Sequence, residues 1–527
     1  MKACDCLILG GGLSGWMAAR ECVLAGLRPL IVHDGMGASP WVHGFNVPVA
    51  PGDSPRCFLE DTLRSGQGLS TPALASALCG DAPEVFGLLQ SLGLAFNREG
   101  ESYQLLKPLG ASHPRVVSIG NETGAAVLSA LRGALEGRVD ELPGSRALRL
   151  IMEGGRAVGA LCYDGRHDAW VPVAARAVVL ASGGYCGIYP VSTNKRDSGG
   201  DGVAMAYEAG ARLCDMEFIQ FEPSAALWPP ALVGTSMITT LLFEGAVLRN
   251  AAGERFMLRY GPEGEQVGKD LLARRIAAEV AAGRGTRHGG VYFDATAVGR
   301  ERLEAGYAMY MARYRAVGID LADQWIELGP APHTSLGGVQ IDENGATGVE
   351  GLYACGEVTG GLHGANRIGG NAGLETLVFG RRAGRSAARF AQSSGMPSPR
   401  AEPMACAGPS CGDFLREARQ TMGQTLQSAG GPVRTAQGLT CAESTLQGLL
   451  AEAGTLHGQG PREEFLRLRL VNDLTAALMT VRAALLRNDT LGCHCRQDCP
   501  ERAASPCRII LEKQAGGMTC RKERIQG

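Results

Sequence analysis

The chain has 527 residues, of which 45% are hydrophobic and 20% are charged, and its formal net charge at pH 7 is −2. This composition is typical of a globular protein with about two to four domains. The near-neutral charge argues against a nucleic-acid-binding surface. No apolar run reaches the roughly 18 residues of a membrane span, and the first strand already begins at Cys4. We therefore expect no membrane span, no secretory signal and a cytoplasmic location.

The 17 cysteines are scattered through apolar segments, which favours reduced thiols over a disulfide framework. Four of them cluster near the C-terminus, at Cys493, Cys495, Cys499 and Cys507. Their gaps of one, three and seven residues match no common ligand set for zinc or iron-sulfur clusters. We interpret them as packed thiols and predict no metal site; a bound metal or cluster, or electron acceptance by disulfide exchange, is the alternative.

The N-terminus contains a Gly-x-Gly-x-x-Gly turn, formed by Gly10, Gly12 and Gly15, between an apolar strand and a helical pattern. The first glycine allows the sharp turn, the second lets a pyrophosphate approach the backbone, and the third lets the helix pack closely on the strand. The sequence predicts a dinucleotide site here, with Leu13 and Ser14 at the helix N-terminus facing the anion.

A second strand follows at residues 28–34. In such folds an acidic residue that binds the ribose ends this strand, about 20 residues after the glycine turn. His33 stands at that place and Asp34 follows it. Either side chain can hydrogen-bond a ribose, so both are candidate ligands.

The middle of the chain alternates helical and strand patterns. The predicted helices lie at residues 58–64 and 71–92 and after residue 121; residues 147–173 read as a hairpin or meander, and a buried parallel strand at 177–182 ends in a glycine turn. Residues 222–336 change to short strands and loops with one amphipathic helix at 269–282, which indicates an inserted domain. Strands at 339–342 and 351–357 are expected to resume the nucleotide-binding sheet, before a helix at 371–392.

After a Pro/Ala/Ser-rich linker at residues 397–412, three helical patterns follow, at 413–428, 440–453 and 462–487. They predict a small helical bundle at the C-terminal end of the chain.

Six stretches carry a resemblance to a known family that covers nearly the whole chain. They are residues 58–69, 199–202 (Gly-Gly-Asp-Gly), 215–221, 253–256, 333–338 (His-Thr-Ser-Leu-Gly-Gly) and 351–371. By these motifs the chain resembles the fumarate reductase and succinate dehydrogenase flavoproteins, a family that includes L-aspartate oxidase. The resemblance implies FAD, a capping domain over the flavin, and hydride transfer between flavin N5 and a carbon-carbon or carbon-nitrogen bond of a carboxylate-bearing substrate.

The implied fold is α/β, with a Rossmann-like FAD-binding domain at residues 1–221 and 337–396, an inserted α+β capping domain at 222–336 and a C-terminal helical bundle at 413–527. By position, the further FAD-binding residues are Asp201, Glu357, Asn371, Ala372 and Gly373. The helix that begins near Asn371 would point its positive N-terminus at the flavin pyrimidine. Ala38 or Ser39 falls where a succinate dehydrogenase carries its flavin-linking histidine, which implies non-covalent FAD.

Arg367 and His333 match the arginine and histidine with which the family clamps one substrate carboxylate. The planar guanidinium of Arg367 offers two parallel hydrogen bonds to a carboxylate, so it is the first candidate. His333 could instead be a hydrogen-bonded structural histidine, and His363, in the same motif as Arg367, is interpreted as structural.

The other half of the substrate site departs from the family pattern. Glu222 replaces a histidine, Thr239 lies near the place of a Thr-Glu pair, and Lys269 replaces the proton-shuttling arginine. Lys269 remains a candidate catalytic acid. An unpaired Glu222 would repel a second carboxylate about 4 Å away by roughly 4 kcal/mol at an effective dielectric near 20. We therefore expect a monocarboxylate, or a carboxylate whose far end is neutral or cationic, rather than plain fumarate or succinate.

L-aspartate oxidase is disfavoured because its Glu-Gly-Gly-His-Ser stretch appears here as residues 108–112, Pro-Leu-Gly-Ala-Ser. Three functions stay open. The first is an FAD-dependent oxidoreductase acting on a small carboxylate. The second is an electron-transfer flavoprotein subunit that works with an iron-sulfur partner, similar to succinate dehydrogenase or adenylylsulfate reductase. The third is a catalytically degraded flavin-binding protein.

Overall fold

The computed structural model describes residues 2–399, 404 and 406–525. The strands are β1 Lys2–Leu9, β2 Pro29–His33, β3 Phe45–Asn46, β4 Arg98–Glu99, β5 Ser102–Tyr103, β6 Val116–Val117, β7 Asp140–Pro143, β8 Ser145–Glu153, β9 Arg156–Asp164, β10 Ala169–Leu180, β11 Leu213–Cys214, β12 Ile219–Ala226, β13 Val247–Arg249, β14 Val291–Asp294, β15 Ile326–Ser335, β16 Gly338–Gln340, β17 Leu352–Ala354, β18 Thr359–Gly360, β19 Arg508–Gln514 and β20 Gly517–Glu523. The helices are α1 Leu13–Leu24, α2 Pro55–Ser65, α3 Pro72–Ser91, α4 Thr123–Ala134, α5 Asp201–Glu208, α6 Lys269–Glu279, α7 Arg300–Arg315, α8 Asn371–Ser393, α9 Gly412–Ala429, α10 Ala436–Thr455 and α11 Gly460–Leu486.

The largest sheet has seven strands and contains the predicted glycine-turn unit. Its parallel part is β7, β2, β1, β10 and β17, with Leu9 opposite both Val32 and Leu180. The antiparallel strands β9 and β8 continue it, as the pattern of residues 147–173 predicts. The carboxyl ends of β1, β2, β10 and β17 therefore meet at one edge, which is where open α/β sheets bind ligands.

Helices α1 and α8 pack side by side and run in the same direction. A Cβ on Gly380 would lie 2.7 Å from the carbonyl oxygen of Ser14, and a Cβ on Gly384 would lie 2.6 Å from that of Ala18. Only glycine permits so close an approach of two helices. Because the two helices are parallel, both N-termini lie at the ligand-binding edge of the sheet.

The segment between Ala226 and Leu328 forms a hydrophobic core of its own. Its sheet is antiparallel, in the order β12, β15, β14, β13. In the long β12 and β15 pair, Glu222 lies opposite Ala331, and the register shifts on both sides of this position. Such irregularities re-aim side chains and are frequent beside active sites. The predicted start of the insertion, residue 222, lies inside β12.

Helix α7 was not predicted from the sequence. Its buried stripe contains two tyrosines beside Leu303 and Met311, and the backbone of Tyr307 leaves helical geometry with φ −136°. A stripe with so few strongly apolar residues gives a weak helical pattern.

The three predicted C-terminal helices are present as α9, α10 and α11. The chain then forms a hairpin, β19 and β20, that was not predicted, and β19 pairs with β11. The expectation that residues 339–342 resume the main sheet is wrong, since β16 pairs with β11 and β18 in a second sheet and only β17 joins β10. Within the part of the chain that the structure describes, no helix is both long and apolar enough to cross a membrane.

Candidate active site

The glycine turn after β1 leaves no room for a side chain at Gly10 or at Gly15. Gly10 has φ +135°, and a Cβ there would lie 2.0 Å from the carbonyl oxygen of Ala181. A Cβ on Gly15 would lie 2.0 Å from the carbonyl oxygen of Gly10. Both positions therefore require glycine, as the predicted dinucleotide turn does.

Helix α1 begins without a capping side chain at its N-cap residue Gly12. Ser39 Oγ accepts a hydrogen bond of 2.9 Å from the backbone N–H of Leu13, and Ser14 is buried. A helix N-terminus of this kind, reached over bare glycine backbone, fits the pyrophosphate of a dinucleotide.

The two candidate ribose ligands after β2 have protein partners. His33 Nε2 lies 3.0 Å from Glu141 Oε2, so the ring faces the neighbouring strand β7. The half-exposed carboxylate of Asp34 lies 3.6 Å from Arg146 Nη2. Arg146 also donates a 3.1 Å hydrogen bond to Asp201 Oδ2. Arg146 thus joins two predicted cofactor residues, although no sequence motif marked it.

Asp201, at the start of α5, is buried. Asn472 on α11 donates a 2.9 Å hydrogen bond to Asp201 Oδ1. Burial raises the pKa of Asp201, and the nearby Arg146 acts against that rise. The C-terminal bundle therefore contacts Asp201, a predicted cofactor residue, directly.

Glu357, just after β17, has a fully hydrogen-bonded carboxylate oxygen. Oε1 accepts bonds from Thr334 Oγ1 at 2.9 Å, Ser335 N at 3.1 Å and Asn194 Nδ2 at 3.1 Å. Burial raises the pKa of Glu357, and these donors limit the rise. A Cβ on Gly184 would lie 2.3 Å from Oε1, so the glycine turn after β10 is needed to admit this side chain.

Helix α8 begins at Asn371 after Gly370, whose φ is +88°, and no side chain caps it. The Asn371 side chain is engaged within the protein, because Oδ1 accepts a 2.6 Å bond from Asn46 and Nδ2 donates to Thr62. Ala372 and Gly373 complete the first turn. The backbone N–H groups of this turn, rather than the Asn371 side chain, are therefore the donors for the predicted contact with the flavin pyrimidine.

Arg367 precedes α8, and its Nε is buried without a hydrogen-bond partner among the described residues. Burial lowers the pKa of Arg367, although Glu357 and Glu375 oppose the shift. A buried guanidinium N–H without an acceptor is costly, so this group fits an anionic ligand. His363 lies in the same loop but pairs with Glu375, at 3.0 Å between Nε2 and Oε2.

His333 lies on β15, with Nδ1 2.9 Å from the hydroxyl of Thr193. Burial lowers the pKa of His333 to about 4. The positive charges of Arg367 and Lys269 act in the same direction, while Glu222 acts against them. His333 is therefore a neutral imidazole near pH 7.

Lys269 Nζ lies 2.6 Å from Glu222 Oε2. The Ser224 hydroxyl lies 2.7 Å from Glu222 Oε1 and 2.6 Å from the carbonyl oxygen of Met237, two acceptors for its one hydrogen. Burial favours the neutral acid, but Lys269, His333 and Ser224 outweigh it, so the pKa of Glu222 lies below its ordinary value. The premise of an unpaired negative charge at Glu222 therefore does not hold, because the first turn of α6 brings an ammonium group to it.

Thr239 begins a short 3-10 turn after Met237, whose backbone bonds to Ser224. Its side chain makes no hydrogen bond to another described residue, so its predicted contact with substrate stays a prediction. Sequence reasoning missed His43, a residue of the loop after β2. Partial burial of the ring and the nearby Lys269 and Arg313 lower the pKa of His43, which places it in the electrostatic field of the site.

The cysteine-rich segment packs against the loop that carries Arg367. Cys493 N donates a 2.9 Å bond to the carbonyl oxygen of Ala365, and Cys493 Sγ lies 3.6 Å from Asn366 Oδ1. Burial raises the pKa of the Cys493 thiol to about 12. In the described ranges, no three His, Cys, Asp or Glu side chains are grouped so that they could hold a metal ion.

Two known protein families match this chain, one from near its N-terminus to residue 372 and the other over its C-terminal part. The FAD binding domain family matches residues 5–372, and the family described as Fumarate reductase flavoprotein C-term matches residues 419–508. A fumarate reductase (CoM/CoB) subunit of Methanothermobacter marburgensis is 39% identical over 401 residues, which cover 74% of this chain and 73% of that protein. L-aspartate oxidase of Caulobacter vibrioides is 36% identical over 408 residues, covering 74% and 77%.

Among solved structures, Sdh1 of Mycobacterium smegmatis in complex with UQ1 matches with a TM-score of 0.90 and 28% identity. The match covers 100% of this chain and 95% of that one. These similarities confirm the resemblance inferred from the motifs, the fold class and the FAD cofactor. The chain belongs to the fumarate reductase and succinate dehydrogenase flavoprotein family and is an FAD-dependent oxidoreductase.

Proposed function

We propose that this enzyme transfers a hydride between its FAD and a small substrate that carries one carboxylate, with a neutral or cationic group at its far end. The Glu222 and Lys269 ion pair is the observation that supports this substrate class. An ion pair has little net charge to offer a second carboxylate, whereas the family pattern places a histidine and an arginine at these two positions.

Arg367 and His333 bind the single carboxylate. Arg367 supplies buried guanidinium donors, one of which has no acceptor among the described protein atoms. His333 is neutral and adds a hydrogen bond without adding charge. Together they fix the orientation of the substrate, which is the main requirement for a hydride to reach one particular carbon.

Lys269 provides the proton in the direction of reduction. FAD, when bound, would supply a hydride to one carbon of the double bond, and Lys269 Nζ would donate the proton that the neighbouring carbon takes. Glu222 holds the ammonium in place through the 2.6 Å contact. Because the Lys269 side chain is 42% exposed, solvent can restore its proton after turnover.

A panel of carboxylates tests the substrate class. The flavin of the purified enzyme is photoreduced under argon, and reoxidation is followed by absorbance after addition of fumarate, its monoamide, or an unsaturated monocarboxylate. We expect the monoamide or monocarboxylate to reoxidise the flavin faster than fumarate. Reoxidation by fumarate at the highest rate of the panel would contradict the proposal.

A second candidate is an electron-transfer subunit that exchanges electrons with an iron-sulfur partner. Its support is the loop beside Arg367, in which Leu106 is 60% exposed and Leu109 is 53% exposed. This loop packs against the Arg367 segment, with Pro108 Cβ 3.7 Å from the position of a Cβ on Gly369. Exposed leucines beside a redox site suit a protein partner. Copurification of an iron-sulfur protein, lost in a Leu106→Glu, Leu109→Glu variant, tests this candidate.

A catalytically degraded flavin protein is the remaining alternative. Arg367→Ala and Lys269→Ala distinguish it from the two enzymatic functions. If neither substitution changes any redox turnover of the purified protein, neither residue has the role proposed above.

A further inference from the structure

The loop before α5 places Thr193 against His333, and this contact decides which ring nitrogen of His333 carries the proton. The Thr193 hydroxyl lies 2.9 Å from Nδ1 of His333 and 3.3 Å from the carbonyl oxygen of Pro332. A hydroxyl has one hydrogen to donate. If it donates to Pro332, Nδ1 must carry the ring proton; if it donates to Nδ1, the ring proton must be on Nε2.

The carbonyl oxygen of Pro332 already has two donors. Ser192 Oγ donates to it at 2.9 Å, and the backbone N–H of Thr193 donates at 3.0 Å. A carbonyl oxygen has two lone pairs, and both are used by these shorter bonds. The Thr193 hydroxyl therefore has its better acceptor at His333 Nδ1, at the shorter of its two distances.

We propose that Thr193 is a positioning residue that holds His333 in the neutral tautomer with the proton on Nε2. His333 then presents a hydrogen-bond donor, and not a base, to whatever occupies the site. The chemical group that it recognises is an acceptor oxygen, such as one oxygen of a carboxylate. This inference rests on the proposed function for the nature of the ligand, but the tautomer itself does not depend on it.

Two further contacts keep the geometry in place. Asn194 Nδ2 donates a 3.0 Å bond to the carbonyl oxygen of His333, and the same amide donates to Glu357. His333 is also neutral near pH 7, so only its two neutral tautomers compete. The single hydroxyl of Thr193 is the group that separates them.

The test is ¹⁵N NMR of the holoenzyme labelled at histidine, with the His333 signals assigned by their loss in a His333→Asn variant. We expect Nε2 to carry the proton in the wild type. In Thr193→Val, which keeps the side-chain shape, we expect signal from the Nδ1-protonated tautomer. Thr193→Ser should restore the wild-type spectrum. Thr475→Val is the control, since that hydroxyl donates to the carbonyl oxygen of Val471 on α11.

Steady-state kinetics with the best carboxylate of the panel provides the second measurement. We expect Thr193→Val to raise KM about fivefold with kcat nearly unchanged, because the hydrogen bond from the neutral imidazole to the substrate carboxylate is weakened. Thr193→Ser should reverse the change. If Thr193→Val yields too little protein, Thr193→Ala replaces it, and the wild-type spectrum alone still decides the tautomer.

A proton on Nδ1 in the wild type, or a Thr193→Val spectrum identical to that of the wild type, would overturn the inference. If the tautomer behaves as expected but no carboxylate reoxidises the flavin, the tautomer assignment stands and the proposed function fails. The two failures are therefore distinguishable.

Discussion

Lys269 on α6 and Glu222 on β12 form an ion pair, with 2.6 Å between Nζ and Oε2. Glu222 is 5% exposed, whereas Lys269 is 42% exposed, so the pair has a buried acidic end and a solvent-facing basic end. A substitution at Glu222 therefore changes the charge available to a ligand as well as the position of the proposed proton donor.

Glu222→Gln should make the site more favourable for dicarboxylates. Removal of the negative charge frees the Lys269 ammonium, and we expect succinate to bind about tenfold more tightly. Flavin absorbance during a succinate titration measures the Kd. Glu222→Asp keeps the charge and serves as the control. An unchanged Kd in Glu222→Gln would show that Glu222 does not limit dicarboxylate binding.

Arg367→Gln should raise KM for the carboxylate substrate by about tenfold to a hundredfold, because charged hydrogen bonds are lost. Arg367→Lys should recover only part of the loss, since an ammonium lacks the two-pronged geometry. Steady-state kinetics gives KM. His363→Gln is the matched comparison in the same loop: it breaks the contact with Glu375, so a lower Tm with little change in KM is expected. If Arg367→Gln and His363→Gln raised KM equally, Arg367 would not be the residue that binds the carboxylate.

The low pKa of His333 predicts a loss of stability in mild acid. The folded-state value is about 4, whereas the unfolded value is about 6.5. Between these values the unfolded chain binds more protons, so the free energy of unfolding falls as pH decreases. From pH 7 to pH 5 the contribution of His333 is about 2 kcal/mol. Urea denaturation at pH 7 and at pH 5 measures this fall in the free energy of unfolding. In His333→Asn, we expect the fall to be smaller than in the wild type by about 2 kcal/mol.

Two glycine substitutions in the same turn should differ in their effect on FAD binding. A Cβ on Gly15 meets the backbone oxygen of Gly10 at 2.0 Å, whereas a Cβ on Gly12 meets the rotatable hydroxyl of Ser39 at 2.7 Å. Gly15→Ala should therefore be isolated without FAD, and Gly12→Ala should retain part of it. The FAD-to-protein ratio after gel filtration gives the comparison. Full FAD content in Gly15→Ala would contradict the role of this turn in FAD binding.

FAD should leave the protein when it is denatured. The resemblance places Ala38 or Ser39 at the site of covalent attachment, and neither residue can form the histidyl link. Acid precipitation should leave the yellow colour in the supernatant. Flavin that stays with the precipitate would indicate a covalent bond, for which His43 in the same loop is the residue to replace.

The strand, turn and helices of the cofactor half were predictable from the sequence because their signals are local. The glycines at 10, 12 and 15 follow an apolar strand directly, and Asn371 begins a strongly amphipathic helix. The partners of these residues were not predictable. Arg146 reaches Asp201 across 55 positions of sequence, and Thr193 reaches His333 across 140. Such contacts depend on tertiary packing, which leaves no periodicity in the sequence.

The departures at Glu222 and Lys269 were visible as substitutions, but their pairing was not, since it depends on how α6 packs on β12. The same limit applies to the hairpin of β19 and β20. Its short apolar run, Ile509 to Leu511 in β19, is a local signal, but its place beside β11 is set by contacts nearly 300 residues apart in sequence, such as Arg508 with Asp215.

The pairing of β19 with β11 also sets an order of assembly during synthesis of the chain. Leu213 has Leu511 as its strand neighbour, and Gly200 N is held by the carboxylate of Asp473. When the ribosome has translated the nucleotide-binding motifs of this chain, Asp473 and Leu511 have not yet been made. A nascent chain that ends before residue 473 therefore lacks the carboxylate that holds Gly200 next to Asp201, and we expect stable insertion of FAD only after the C-terminal helices have formed.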